Sequence, residues 1–151
     1  MASLPKVYFF FENKHIYLEE RTRLKFFLEK IFKTERVSLK SLNYIFCSDK
    51  RILTINRQFL QHDYFTDIIT FQLSETGSVE AEIYISSDRV RENAKQLGVT
   101  LKSEIHRVIF HGVLHLCGYG DKDIEQERIM RQMEDLYINQ YFNKRSTGNI
   151  F

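Results

Sequence analysis

The alternation of apolar and polar positions divides the chain into short strands and amphipathic helices. Lys6–Glu12 (KVYFFFE) is aromatic and β-branched and reads as a strand. From Leu18 to about Phe32 the apolar residues fall at Leu24, Phe27, Leu28, Ile31 and Phe32, the spacing of a helix with one buried stripe. Leu42–Cys47 (LNYIFC) reads as a second strand, and Ser48-Asp49 caps a helix through Arg51, Ile52, Ile55 and Phe59. Thr66–Leu73 (TDIITFQL), with Ile68, Ile69, Phe71 and Leu73, is expected as a strand buried on both faces. Glu80–Ser86 (EAEIYIS) alternates, and the Thr-Gly-Ser between these two runs predicts a hairpin.

Ser87-Asp88 can cap a short helix that Gly98 ends. Lys102–Cys117 is a strongly apolar helix stopped at Gly118. A last helix is expected from Ile124 to Phe142, with Ile129, Met130, Met133, Leu136, Tyr137 and Tyr141 on one face. The pattern predicts a single α+β domain over residues 1–142, a small mixed four-stranded sheet packed with helices, and a loosely ordered tail at 143–151.

Composition changes this picture little. With 151 residues and 43% hydrophobic content the chain can bury one sizeable core. A net charge of +2, from 22 basic and 20 acidic residues, neither demands nor excludes a polyanionic partner. Cys47 and Cys117 are far apart and form no Cys-x-x-Cys pair, which fits a reducing cytosol. The N-terminus lacks the pattern of a signal peptide, and no apolar run approaches the roughly 20 residues that span a membrane. A cytoplasmic protein is expected.

The chemistry concentrates in HGVLHLCGYGD, residues 111 to 121. His111 and His115 are four apart and share a helical face, so both can reach one ion. Gly118 and Gly120 permit the turn that brings Asp121 back towards them. Two imidazoles and a carboxylate leave a fourth position open, the mark of a catalytic rather than a structural zinc. The site would then sit at the end of a central helix.

The plainer alternative is a histidine pair satisfied within the core, an ordinary glycine stop, and Asp121 as a cap. Against it, Asp123 and Gln126 make a capping box of their own, which leaves Asp121 without a structural task. Asp123 is the fallback ligand, and Cys117 is a small apolar residue before it is a ligand. The zinc-protease helix His-Glu-x-x-His has Gly112 at its glutamate position here, which disfavours a peptidase.

Other polar residues have structural readings at least as good. Asp67 can satisfy turn amides before a buried strand. Glu104, seven residues before His111, can orient an imidazole or stand solvated in the first turn. His106 lies off the ligand face, His15 and His62 sit in polar stretches, and Arg89, Arg91 and Lys95 form a basic helix face that reads as solvated.

With these residues in view, the chain resembles the YbeY family of bacterial endoribonucleases and rRNA maturation factors. The family motif H-G-x-L-H-L-x-G-Y-D-H departs from this sequence only at its last two positions, where Gly120 and Asp121 stand. An upstream family segment has its counterpart in Ile55-Asn56, Phe59, Asp63 and Thr66-Asp67-Ile68-Ile69-Thr70-Phe71, and the family's G-D-I strand in Ala81-Glu82-Ile83.

The resemblance implies one zinc ion on His111, His115 and Asp121, the last in place of the family's third histidine. It implies a metal-dependent single-strand endoribonuclease that matures the small-subunit rRNA 3′ end and takes part in ribosome quality control, with RNA, the ribosome and ribosomal proteins as partners. The family's arginine after the aromatic aligns with Leu60, so Arg57, one turn back, is expected to contact phosphate in its stead; His115 and Arg57 are the catalytic candidates. Two other readings stay open: a ribosome-biogenesis binding factor with a structural metal, and a metallohydrolase of another substrate.

Overall fold

Parallel pairing organises the sheet. In the computed structural model, which describes residues 6–13, 16–61 and 66–150 and side chains as far as Asn143, β1 (Val7–Phe11) pairs in parallel with β2 (Leu39–Cys47), and β2 in parallel with β4 (Val79–Ser86). β3 (Ile68–Gln72) closes one edge, antiparallel to β4, giving the order β1-β2-β4-β3. The mixed four-stranded sheet and the β3–β4 hairpin are those expected from the sequence. His15, His62 and Asp63 lie outside the described residues.

β3 departs from its expected burial. Only Ile69 is buried in it, because it is an edge strand rather than a central one. Adjacent apolar residues therefore did not mean two covered faces: Phe71 packs edge-on against Tyr84 and Phe59 instead of entering the main core.

Two helices lie over the core face of the sheet. In α1 (Arg21–Thr34) the buried residues are Leu24, Phe27, Leu28, Ile31 and Phe32, the stripe that the periodicity gave. Each such burial contributes about 1.5–3 kcal/mol relative to exposure. The helix starts after Leu18 because Glu20 adopts a left-handed conformation, φ 51°. The second is α4 (Leu101–Leu116), capped by Thr100, whose side chain accepts from the Ser103 amide. α4 meets the sheet through Gly112, where a Cβ would stand 2.8 Å from the Ile83 Cδ1 and 3.1 Å from the Ile68 Cδ1. Tyr44 on β2 donates to the Ile109 carbonyl at 2.8 Å.

α2 (Asp49–Ile55) is capped by Ser48 and continues as a π-helical turn, Asn56–Leu60; with Cys47 and Ile69 its Ile52 and Ile55 form a small second cluster. α3 (Ser87–Leu97) is capped one residue earlier than expected: Ser86 accepts from the Arg89 amide, and Gly98 ends the helix at φ 68°. α5 (Ile124–Ile150) runs past Phe142, where the sequence pattern ends it. Its buried stripe is Met130, Glu134, Tyr137 and Tyr141, whereas Leu136, expected on that face, is 44% exposed. No helix among the described residues is long and apolar enough to cross a membrane.

Candidate metal centre

The end of α4 is built by a glycine turn. Gly118 has φ 104°, its amide donates to the His115 carbonyl at 3.0 Å, and the Tyr119 amide donates to Leu114 at 3.0 Å. These paired bonds define a Schellman stop, whose left-handed residue is best supplied by glycine. The turn is anchored from outside, because both Tyr119 and, on α5, Tyr137 donate to the Glu35 carboxylate.

The reversal delivers Asp121 to the two histidines. Its Oδ2 lies 3.4 Å from His111 Nε2 and 3.3 Å from His115 Nε2. Ligands about 2.0–2.1 Å from a tetrahedral ion stand roughly 3.3–3.4 Å apart, so these separations match the edges of such a site. The imidazoles meet edge to face, with ring centroids 4.4 Å apart. Ligating atoms of His111, His115 and Asp121 all fall within 4.8 Å of one another. The three residues singled out in the sequence thus come together.

The opposite ring nitrogens are both held. His115 Nδ1 lies 2.9 Å from the Tyr119 carbonyl, and His111 Nδ1 lies 2.6 Å from Glu134 Oε2. A protonated Nδ1 donating outwards leaves each Nε2 lone pair directed at Asp121, the tautomer that metal ligation requires. The residues present therefore fit a divalent cation by their donor set, spacing and tautomers.

Glu134 is itself fixed. It is 4% exposed, and Arg107 donates to its Oε1 at 2.9 Å and to Asp135 at 2.8 Å. Burial alone would raise the Glu134 pKa, but hydrogen bonds from His111 and Arg107 overcome it and the net shift is downward. Burial likewise pulls His111 down, while Glu134 and then Asp121 reverse the effect and leave it raised. The sequence left Glu104 open between orienting an imidazole and standing solvated in the first turn; the carboxylate on His111 is that of Glu134. One sign of it was visible: Glu134 lies between Met130 and Tyr137 on the buried face of α5, where a charge needs a partner.

The remaining candidates separate clearly. Asp123 caps α5, its Oδ1 accepting from the Gln126 amide at 2.8 Å, and Gln126 returns to the Lys122 amide at 2.9 Å, one residue earlier than a simple capping box. The Cys117 thiol is pushed up to about 12 by burial, with Glu35 adding to it. His106 is buried, its Nδ1 2.7 Å from the Lys102 carbonyl. Arg57 is exposed on the π-helical turn and does not line the cleft beside His111.

That cleft has a volume of about 660 Å³ and lies between α3, α4 and α5. Arg107, Arg128 and Arg131 line it, with Asp67, Glu104 and His111. Asp67 accepts from the Asn93 amide group at 3.2 Å, and burial raises its pKa despite the nearby His111.

Comparison with known proteins identifies the family. The family model described as Endoribonuclease YbeY matches residues 10–142. Endoribonuclease YbeY of Cytophaga hutchinsonii is 48% identical over 134 residues, covering 88% of this chain and 94% of that protein. Endoribonuclease YbeY of Flavobacterium psychrophilum is 43% identical over 118 residues, covering 78% and 84%. Among solved structures, the solution structure of a Thermotoga maritima protein superposes with a TM-score of 0.63 at 27% identity, covering 94% of this chain and 93% of that one.

Proposed function

The chain belongs to the endoribonuclease YbeY family, and from that premise we propose that it is a zinc-dependent single-strand endoribonuclease of the cytoplasm that matures ribosomal RNA at the small-subunit 3′ end. The observation that carries the metal-dependent part is the meeting of His111, His115 and Asp121 with both Nδ1 atoms turned outwards. His111, His115 and Asp121 would hold the ion. A divalent ion there supplies Lewis acidity, towards water or towards a phosphoryl oxygen.

The chain's own residues supply the rest. His115 is held by the Tyr119 carbonyl, so its ring keeps one orientation while substrate enters. Arg128 and Arg131, on the cleft wall, offer positive charge to the RNA backbone. Arg57 is assigned a phosphate contact from its place in the upstream motif, since Leu60 stands at the family's arginine. Ribosomes and ribosomal proteins are the expected partners. Asp121 lowers the charge of the centre relative to three imidazoles, and imidazole with carboxylate also accepts iron, nickel or manganese, so metal analysis of the purified protein tests zinc.

The decisive experiment is cleavage of small-subunit rRNA precursor by the wild type beside His115→Ala, purified identically. Cleavage by the wild type alone supports the proposal, and equal cleavage by both defeats it. A binding factor with a structural metal would instead show ribosome association that survives His115→Ala, without metal-dependent cleavage by either protein. Undiminished cleavage by Arg57→Ala would remove Arg57 from the mechanism.

A further inference from the structure

Among the described residues the Glu104 carboxylate forms no ion pair. It is 5% exposed, on the same face of α4 as His111, and lines the cleft. Among the described residues its carboxylate accepts no hydrogen bond. Its oxygens are nevertheless not sealed away, because no buried side-chain oxygen of the described residues lacks a partner. They therefore open onto the cleft. Arg107, which lines the same cleft, is turned to Glu134 and Asp135. Burial raises the Glu104 pKa, with Arg107 only partly opposing it, as befits a carboxyl group deprived of donors. A carboxylate so placed costs free energy until a ligand brings N–H or O–H groups to it.

The chemistry of that ligand can be narrowed. A phosphate is repelled by Glu104 and belongs nearer Arg128 and Arg131, on the α5 side of the cleft. A ribose 2′-hydroxyl could satisfy one Glu104 oxygen, whereas the edge of a base can satisfy both. Guanine alone presents two adjacent donors, N1–H and the N2 amino group, which match the two oxygens of one carboxylate as an arginine fork does. Adenine and cytosine each set an acceptor beside their amino group, and uracil flanks one N–H with two carbonyls, so each turns an acceptor towards Glu104. A cleft of about 660 Å³ is within the usual size for a bound small molecule and admits one nucleotide. Recognition of unstacked bases by their Watson–Crick edges is how single-stranded RNA is ordinarily read.

We infer that the cleft beside His111 is a guanine subsite in which Glu104 accepts from N1–H and N2–H of one unstacked base, fixing which nucleotide lies next to the metal centre. This rests on the ribonuclease reading, and its test is one of binding rather than cleavage. The probes are uridine-rich hexamers with 2′-O-methyl sugars, which resist cleavage, carrying one central guanosine or one central inosine; inosine lacks the N2 amino group. Fluorescence anisotropy is read with wild type and with Glu104→Gln, in which one acceptor becomes a donor.

The wild type is expected to bind the guanosine hexamer about tenfold more tightly than the inosine one, the size of one good base contact. Glu104→Gln is expected to bring the two within about twofold, with metal affinity unchanged and the thermal midpoint no lower than that of the wild type. Equal wild-type affinity for the two hexamers, including no binding to either, overturns the subsite and leaves the ribonuclease reading to the cleavage assay. A guanosine preference that survives in a folded Glu104→Gln protein removes Glu104 from the recognition.

Discussion

Glu134 Oε2 stands 2.6 Å from His111 Nδ1, joining the middle of α5 to a helix face 23 residues earlier in the chain. The contact makes α5 part of the candidate metal centre although it contributes none of the proposed ligands. Removing such an outer partner typically weakens metal binding about 10–100-fold. Glu134→Ala is expected near the upper end and Glu134→Gln, which keeps an acceptor, near the lower. Competition with a chelating dye measures both, and wild-type affinity in the two variants would remove the orienting role.

Gly118 is the hinge of the ligand segment. Nothing lies within 4 Å of where its Cβ would stand, so a substitution there is strained by its φ of 104° alone. Gly118→Ala is expected to cost about 1–3 kcal/mol of stability and to weaken metal binding by displacing the Tyr119 carbonyl from His115. Chemical denaturation with a parallel metal titration reads both; unchanged values in the two assays would contradict the turn's role.

At Gly112 the constraint is space. Gly112→Ala gains up to about 1 kcal/mol in helix propensity but meets Ile83, fully buried behind it, and overpacking of that kind costs about 1–3 kcal/mol. A net loss of about 1 kcal/mol is expected. Ile83→Val deletes the opposing Cδ1, so the double variant should be more stable than the two single losses added together. Strict additivity would mean that the helix shifts instead. The same crowding gives a second reason, beyond sequence pattern, why a glutamate is absent from this position.

Asp121 and Asp123 should separate cleanly. Asp121→Ala is expected to abolish tight metal binding with little loss of stability. Asp123→Ala should leave the metal in place and cost about 0.5–2 kcal/mol through the lost cap. If calorimetric metal titration shows the larger effect at Asp123, the third ligand is misassigned.

His106 predicts a pH dependence remote from the metal. Burial lowers its pKa from 6.5, more than the Lys102 carbonyl raises it, and the charges of Lys102 and Arg23 add to the lowering. The folded protein then binds fewer protons than the unfolded chain just below pH 6.5, so stability present above that pH is lost as pH falls through it. His106→Leu should flatten the slope of unfolding free energy in that window. An identical slope in the variant would assign the acid sensitivity elsewhere.

The candidate ligand cluster was legible in the sequence because it is local. His111, His115, Gly118 and Asp121 fall within one helix end and one turn, and helical spacing and glycine conformation relate them directly. The α1 stripe was legible for the same reason. What sequence missed was made by packing between elements. Glu134 looks like any glutamate of an acidic and basic helix until α5 is laid against α4, and Arg107 gains its meaning only through Glu134 and Asp135. β3 read as central because Ile68, Ile69 and Phe71 are apolar, but its place at the sheet edge is set by the pairing of β4 with β2. Glu104 stood at the right spacing from His111, yet its empty hydrogen-bonding capacity could be seen only with the cleft around it.

The three proposed ligands lie between positions 111 and 121, so the denatured chain would carry the whole ligand set within a few residues' reach of itself. It lacks only the partners brought by tertiary structure, Glu134 among them. A metal held this way also has appreciable affinity for unfolded molecules, and a ligand stabilises a fold only by the ratio of its affinities for the two states. Saturating metal should raise the unfolding midpoint by less than its dissociation constant alone would give, and the shortfall measures how much of the binding strength the tertiary fold supplies.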